Sequence, residues 1–77
     1  MNKKEAQQQF GLQLRRIRAG KELSQEALAK CCQLDRTYIS GVERGLRNPS
    51  LDCILRIARG LDVRPEELIR GVNFDAY

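Results

Sequence analysis

The 77-residue chain has no histidine and no tryptophan, and only two Phe, two Tyr and two Pro. Without histidine the commonest general base is missing, and so is a ligand type found in most zinc sites. The three cysteines are Cys31, Cys32 and Cys53, with no C-x-x-C spacing. An odd set with two adjacent members predicts small buried thiols in a reducing compartment rather than a disulfide or metal framework. No metal, no cofactor and no catalytic residue is expected, and the chain does not read as an enzyme. Four aromatic side chains are too few to build stacking platforms for single-stranded nucleic acid. No apolar run approaches the roughly 18 residues of a membrane span. The first nine residues are polar and lack a signal-peptide core, so a cytoplasmic location is expected.

Charge is plentiful. Fourteen Lys and Arg stand against ten Asp and Glu, a formal net charge of +4, beside 42% hydrophobic residues. That balance suits one small globular domain over 1–77 and leaves a polyanionic partner open. Apolar residues recur at helical spacing and nothing alternates as a strand would, so the expected class is all-α.

Five helices account for the chain. Asn2 can cap the first, with Glu5 completing an N-x-x-E box, and Phe10, Leu14 and Ile17 form its apolar stripe. Leu12 lies off that stripe and has no assigned role, packing on the tail being one option. Gly20 ends this helix, and Lys3 and Lys4 face solvent. Ser24 caps the second helix and Asp35 the third, with Leu28, Ala29, Cys32, Leu34, Ile39 and Val42 buried between them. Gly45 stops the third helix, and a polar loop follows. Ser50 caps a fourth helix whose buried face is read as Leu51, Ile54, Leu55, Ala58 and Leu61. Pro65 fits the first position of a fifth, followed by Glu66 and Glu67. The third helix turns Arg36, Thr37, Ser40 and Gly41 outward, a short polar edge of the kind that approaches base edges in a major groove.

The stretch "LSQEALAKCCQLDRTYISGVERGLRNPSLDCILRIARGLDV", residues 23–63, resembles the helix-turn-helix family of phage repressors and xenobiotic-response-element-type (XRE) bacterial regulators. Within it, "DRTYISGVERGLRNPSL" is similar to the small controller proteins of restriction–modification systems. The resemblance implies a five-helix lambda-repressor-like domain with the helix-turn-helix at helices two and three. It implies a homodimeric, sequence-specific transcriptional regulator, such as a repressor, on a near-palindromic double-stranded DNA operator. Carried over by position, Arg36, Thr37, Ser40 and Gly41 are base readers, the glycine making least direct contact. Ser24, Gln25, Tyr38, Arg44, Arg47 and Asn48 meet the DNA backbone, and Arg18 and Glu43 form a structural ion pair. Residues 64–77 supply a dimerisation helix and tail through Leu68, Ile69, Val72 and Phe74. RNA polymerase is a further expected partner if the acidic Glu26 or Asp35 contacts it. The rival reading is an antitoxin of this fold whose main partner is a toxin.

Two departures from the family pattern stand out. Gln33 occupies the turn position usually held by glycine, where a left-handed backbone would be strained. Arg64 replaces the usual Ser or Thr cap ahead of Pro65, which predicts a poorly anchored fifth helix.

Overall fold

The computed structural model describes residues 2–76. Among these the elements are α1 (Lys3–Gly20), α2 (Gln25–Cys32), α3 (Arg36–Glu43), α4 (Leu51–Leu61) and α5 (Pro65–Ile69). A 3-10 turn over Phe74–Ala76 follows. The helix starts are chemically marked. Asn2 Oδ1 accepts from the Glu5 N–H, Ser24 Oγ from Ala27, Asp35 Oδ1 from Thr37 and Ser50 Oγ from Cys53, at 2.9–3.1 Å. Each side chain satisfies one of the free N–H groups that a helix start leaves over. Arg64 provides no such bond, and α5 is only five residues long.

The helix ends are as specific. Gln33 adopts φ 56° and ψ 41°, and the Leu34 N–H then reaches back to the Ala29 carbonyl at 3.0 Å. This left-handed close reverses the chain between α2 and α3 without a glycine. Asp62 closes α4 in the same way, with Val63 N–H on the Ala58 carbonyl at 3.0 Å.

Eleven side chains, each 5% exposed or less, make one core: Phe10, Leu14, Leu28, Ala29, Cys32, Ile39, Val42, Ile57, Ala58, Leu61 and Leu68. All five helices contribute. α2 packs on α4 and α3, and α1 packs on α3 and α5. Where α1 crosses the end of α3, Gly11 lets the backbones touch. A Cβ there would stand 2.3 Å from the Val42 carbonyl oxygen and 2.6 Å from that of Glu43.

Two sequence expectations need correction. Leu51 and Leu55 do not belong to the buried face of α4; they are 71% and 47% exposed, and Ile57 is buried instead. The stripe that faces the core runs Ile54, Ile57, Ala58, Leu61, and the apolar arc of α4 is wider than α1, α2 and α5 can cover. Leu12, left open between the tail and solvent, is half exposed. The cysteines are not uniformly buried: Cys32 is enclosed, Cys53 partly so, and Cys31 lies on the surface.

Candidate nucleic-acid interface

α3 divides into two edges. Its inner edge places Ile39 and Val42 in the core and Glu43 just beneath the surface. Its outer edge begins with Arg36 and Thr37, both exposed, and continues to a half-buried Ser40. Because Asp35 rather than Thr37 caps the helix, the Thr37 hydroxyl is not spent on the backbone. Beyond the helix end, Arg44, Arg47 and Asn48 are exposed, while Tyr38 is half-buried with the Arg47 guanidinium carbon 5.9 Å from its ring centroid. The surroundings of Tyr38 push its hydroxyl up to about 12, chiefly through burial, with the neighbouring Cys53 thiol adding to the rise.

Gly41 departs from the expectation that it faces outward. It is buried, because the stem of Arg47 lies across it: a Cβ at position 41 would be 3.0 Å from Arg47 Cγ and 3.4 Å from Nε. The helix presents no open glycine surface there.

A charged brace backs the outer edge. Arg18 on α1 donates from Nε to Glu43 Oε2 at 2.5 Å, from Nη2 to Oε1 at 3.0 Å and from Nη1 to the Leu23 carbonyl at 2.7 Å. Gln25, the first residue of α2, donates to Glu43 Oε1 at 3.0 Å. The carboxylate of α3 therefore receives donors from α1 and α2, so both are tied to the end of α3. The hydrogen bond to Glu43 holds the Arg18 guanidinium even more firmly charged than usual, outweighing its partial burial. Gln25 is oriented by this bond, with its amide oxygen left for another donor. Among the described residues no buried side-chain nitrogen or oxygen lacks a partner.

Comparison with known proteins places this geometry. Residues 9–70 match the family described as a helix-turn-helix domain. The control protein C.BamHI of Bacillus amyloliquefaciens is 52% identical over 61 residues, covering 78% of this chain and 75% of that protein. The chain belongs to this helix-turn-helix family. A second relative, the control protein C.MunI of a Mycoplasma species, is 42% identical over 65 residues, covering 83% and 88% of the two chains. The crystal structure of the restriction–modification controller protein C.AhdI from Aeromonas hydrophila superposes with a TM-score of 0.80 at 53% identity, covering 80% of this chain and 94% of that one. The match takes in all of α2 to α5, so the Ser24, Asp35 and Ser50 caps, the Gln33 turn and the Arg18–Glu43 brace lie inside family territory.

The residues assigned to dimer contact separate in the structure. Leu68 is 0% exposed and belongs to the core: α5 is so short that its one inward position is needed to seal α1 against α4. Val72 packs partly against the same core. Ile69 and Phe74 are exposed. The exposed apolar residues also include Leu51, which stands out from α4 beside Ile69, Leu55 on α4, and Leu46 in the loop, 61% exposed. Leu51, Ile54, Pro65 and Ile69 line a shallow apolar groove edged by Glu66 and Arg70. Its signal was available in α4, whose apolar residues span more of the helix than one core can take.

Proposed function

We propose that the protein is a sequence-specific double-stranded DNA-binding transcriptional regulator of the restriction–modification controller type. The observation that carries this reading is the two-edged α3. Its inner edge is fixed by core contacts and by the Glu43 brace, and its outer edge holds Arg36 and Thr37 free at the helix start. A helix laid in a major groove reads bases from its N-terminal residues, and an arginine there can donate twice to guanine O6 and N7. Ser40 supplies a shorter contact. Arg44 and Asn48 hold phosphates and set register, while Gln25 offers its second Nε2–H to a phosphate at the start of α2. Affinity falls with salt, each neutralised phosphate contributing about 0.9 to the logarithmic slope. The reading needs no cofactor and no chemical reaction, and it places the protein with DNA in the cytoplasm.

The working unit is a homodimer joined through the groove of Leu51, Ile54, Pro65 and Ile69. Two-fold symmetry then calls for a near-palindromic operator with half-site centres about 34 Å apart. An operator overlapping a promoter gives repression. The exposed carboxylates of Glu26 and Asp35 are the groups that would meet RNA polymerase in activation.

Selection of binding sites from random duplex DNA, in about 0.15 M salt, tests the reading. The expected product is a symmetric motif with the helical-turn spacing. A folded protein that enriches no motif refutes it and turns attention to a protein partner such as a toxin.

A further inference from the structure

We infer that Gly41 is a positioning residue for DNA recognition: it leaves a notch in α3 that seats the stem of Arg47, so a loop arginine serves the C-terminal half of the reading edge. The inference rests on the DNA-binding reading above. Gly41 follows Thr37 by four residues and so shares its edge of the helix. Its φ is not among the positive values, which mark Gly45 alone among the described glycines, so no turn requires a glycine at this position. A glycine inside a helix weakens it relative to alanine. What occupies the missing Cβ accounts for it. Arg47 Cγ, Nε and Cδ lie 3.0, 3.4 and 3.8 Å from where that atom would be.

Two further contacts and a turn support the same seat. Tyr38, one turn before Gly41, lies beneath the guanidinium, whose carbon is 5.9 Å from the ring centroid. The Leu46 N–H donates to the Gly41 carbonyl at 2.9 Å, so the glycine that seats the arginine also anchors the loop carrying it. Gly45, at φ +74°, turns the chain back between them. The arginine is thus held along the helix before DNA arrives. Its planar fork then loses little freedom when it donates to a guanine edge, which gives discrimination as well as attraction.

The experiment is a double-substitution cycle of Gly41→Gln and Arg47→Ala, with thermal unfolding confirming that each variant is folded. The first readout is the ratio of affinities for the selected operator and an unrelated duplex. The second, taken without DNA, is the NMR resonance of the Arg47 Nε–H group. Gly41→Gln should lower the affinity ratio about tenfold when Arg47 is present. In the Arg47→Ala background it should lower it less than about twofold. It should also shift the Arg47 resonance in the free protein, as the guanidinium leaves the Tyr38 ring.

Equal losses in both backgrounds would overturn the proposal, because Gly41 would then make room for DNA itself. A uniform loss on both duplexes would reduce Arg47 to a phosphate contact and overturn it too. An unchanged Arg47 resonance would remove the seat. Absence of any operator preference in the unmodified protein would instead strike at the DNA-binding reading, and the resonance would still report on the seat.

Discussion

Glutamine in place of Glu43 tests the brace most directly. The Glu43 side chain is 3% exposed and its partner Arg18 only 14%. Three side-chain donors converge on the carboxylate, two from Arg18 and one from Gln25. In Glu43→Gln one accepting oxygen becomes an NH2 group facing donors, and Arg18 is left as an enclosed cation with no counter-charge. Removing one member of a buried ion pair costs about 3–5 kcal/mol. The residual exposure of Arg18 places this case near the lower end, about 3 kcal/mol. A 77-residue domain has about 4–12 kcal/mol in total at the usual stability per residue. The substitution therefore removes a quarter or more of it. Urea unfolding followed by far-ultraviolet circular dichroism should show the midpoint falling by about 3 M, for a slope near 1 kcal/mol per molar. Replacing both partners by apolar residues, Arg18→Met with Glu43→Leu, should recover most of the loss, since no charge is then stranded. A drop in stability below about 1 kcal/mol, the scale of a surface pair, would refute the reasoning and make the contact incidental.

Other expectations follow from single residues. Gln33→Gly should relieve the left-handed strain at φ 56° and raise the thermal midpoint by about 4–8 °C, for a gain near 1 kcal/mol, by calorimetry; no rise would mean the glutamine side chain compensates. Tyr38 should titrate late, near about 12, in an ultraviolet phenolate titration, and Tyr38→Phe should delete that late step. Because its folded value is raised, its contribution to stability is complete below the ordinary phenol range of about 10 and is lost as pH rises through the folded value of about 12. Thiol labelling read by peptide mass should modify Cys31 first and Cys32 only on unfolding, since burial raises the Cys32 thiol and encloses it; early labelling of Cys32 would contradict the α2–α4 packing. Leu51→Glu with Ile69→Glu should weaken self-association at least about tenfold in sedimentation equilibrium and leave the thermal midpoint of the monomer little changed, as both side chains are exposed.

Local chemistry was the most legible level. Asn2, Ser24, Asp35 and Ser50 mark helix starts because a short polar side chain meets the same free N–H groups wherever it stands, and that requirement is visible in one dimension. The left-handed Gln33 was legible through the resemblance, which puts it at the turn position usually held by glycine. What could not be read was competition among helices for one core. α4 carries apolar residues on both sides of its stripe, and only the positions of α1, α2 and α5 decide that Ile57 is inside and Leu51 outside. The same competition draws Leu68 inward, since α5 has a single turn with which to close the fold. Gly41 was read by its own smallness, as an open surface. The arginine that fills it comes from six residues further on, across a turn that the helical pattern does not describe.

The two-edged build of α3 has a consequence for how such a protein changes over time. Fold and reading are carried by different residues within eight positions: Ile39, Val42 and Glu43 answer to the interior, while Arg36 and Thr37 answer to nothing in their own chain. On the proposed reading, replacing the outer pair would change which base pairs are preferred without touching the interior that holds the helix in place. Under that reading a new target would need only a few codon changes at exposed positions, which cost the fold little, whereas changes at Ile39, Val42 or Glu43 would strike the core and the brace.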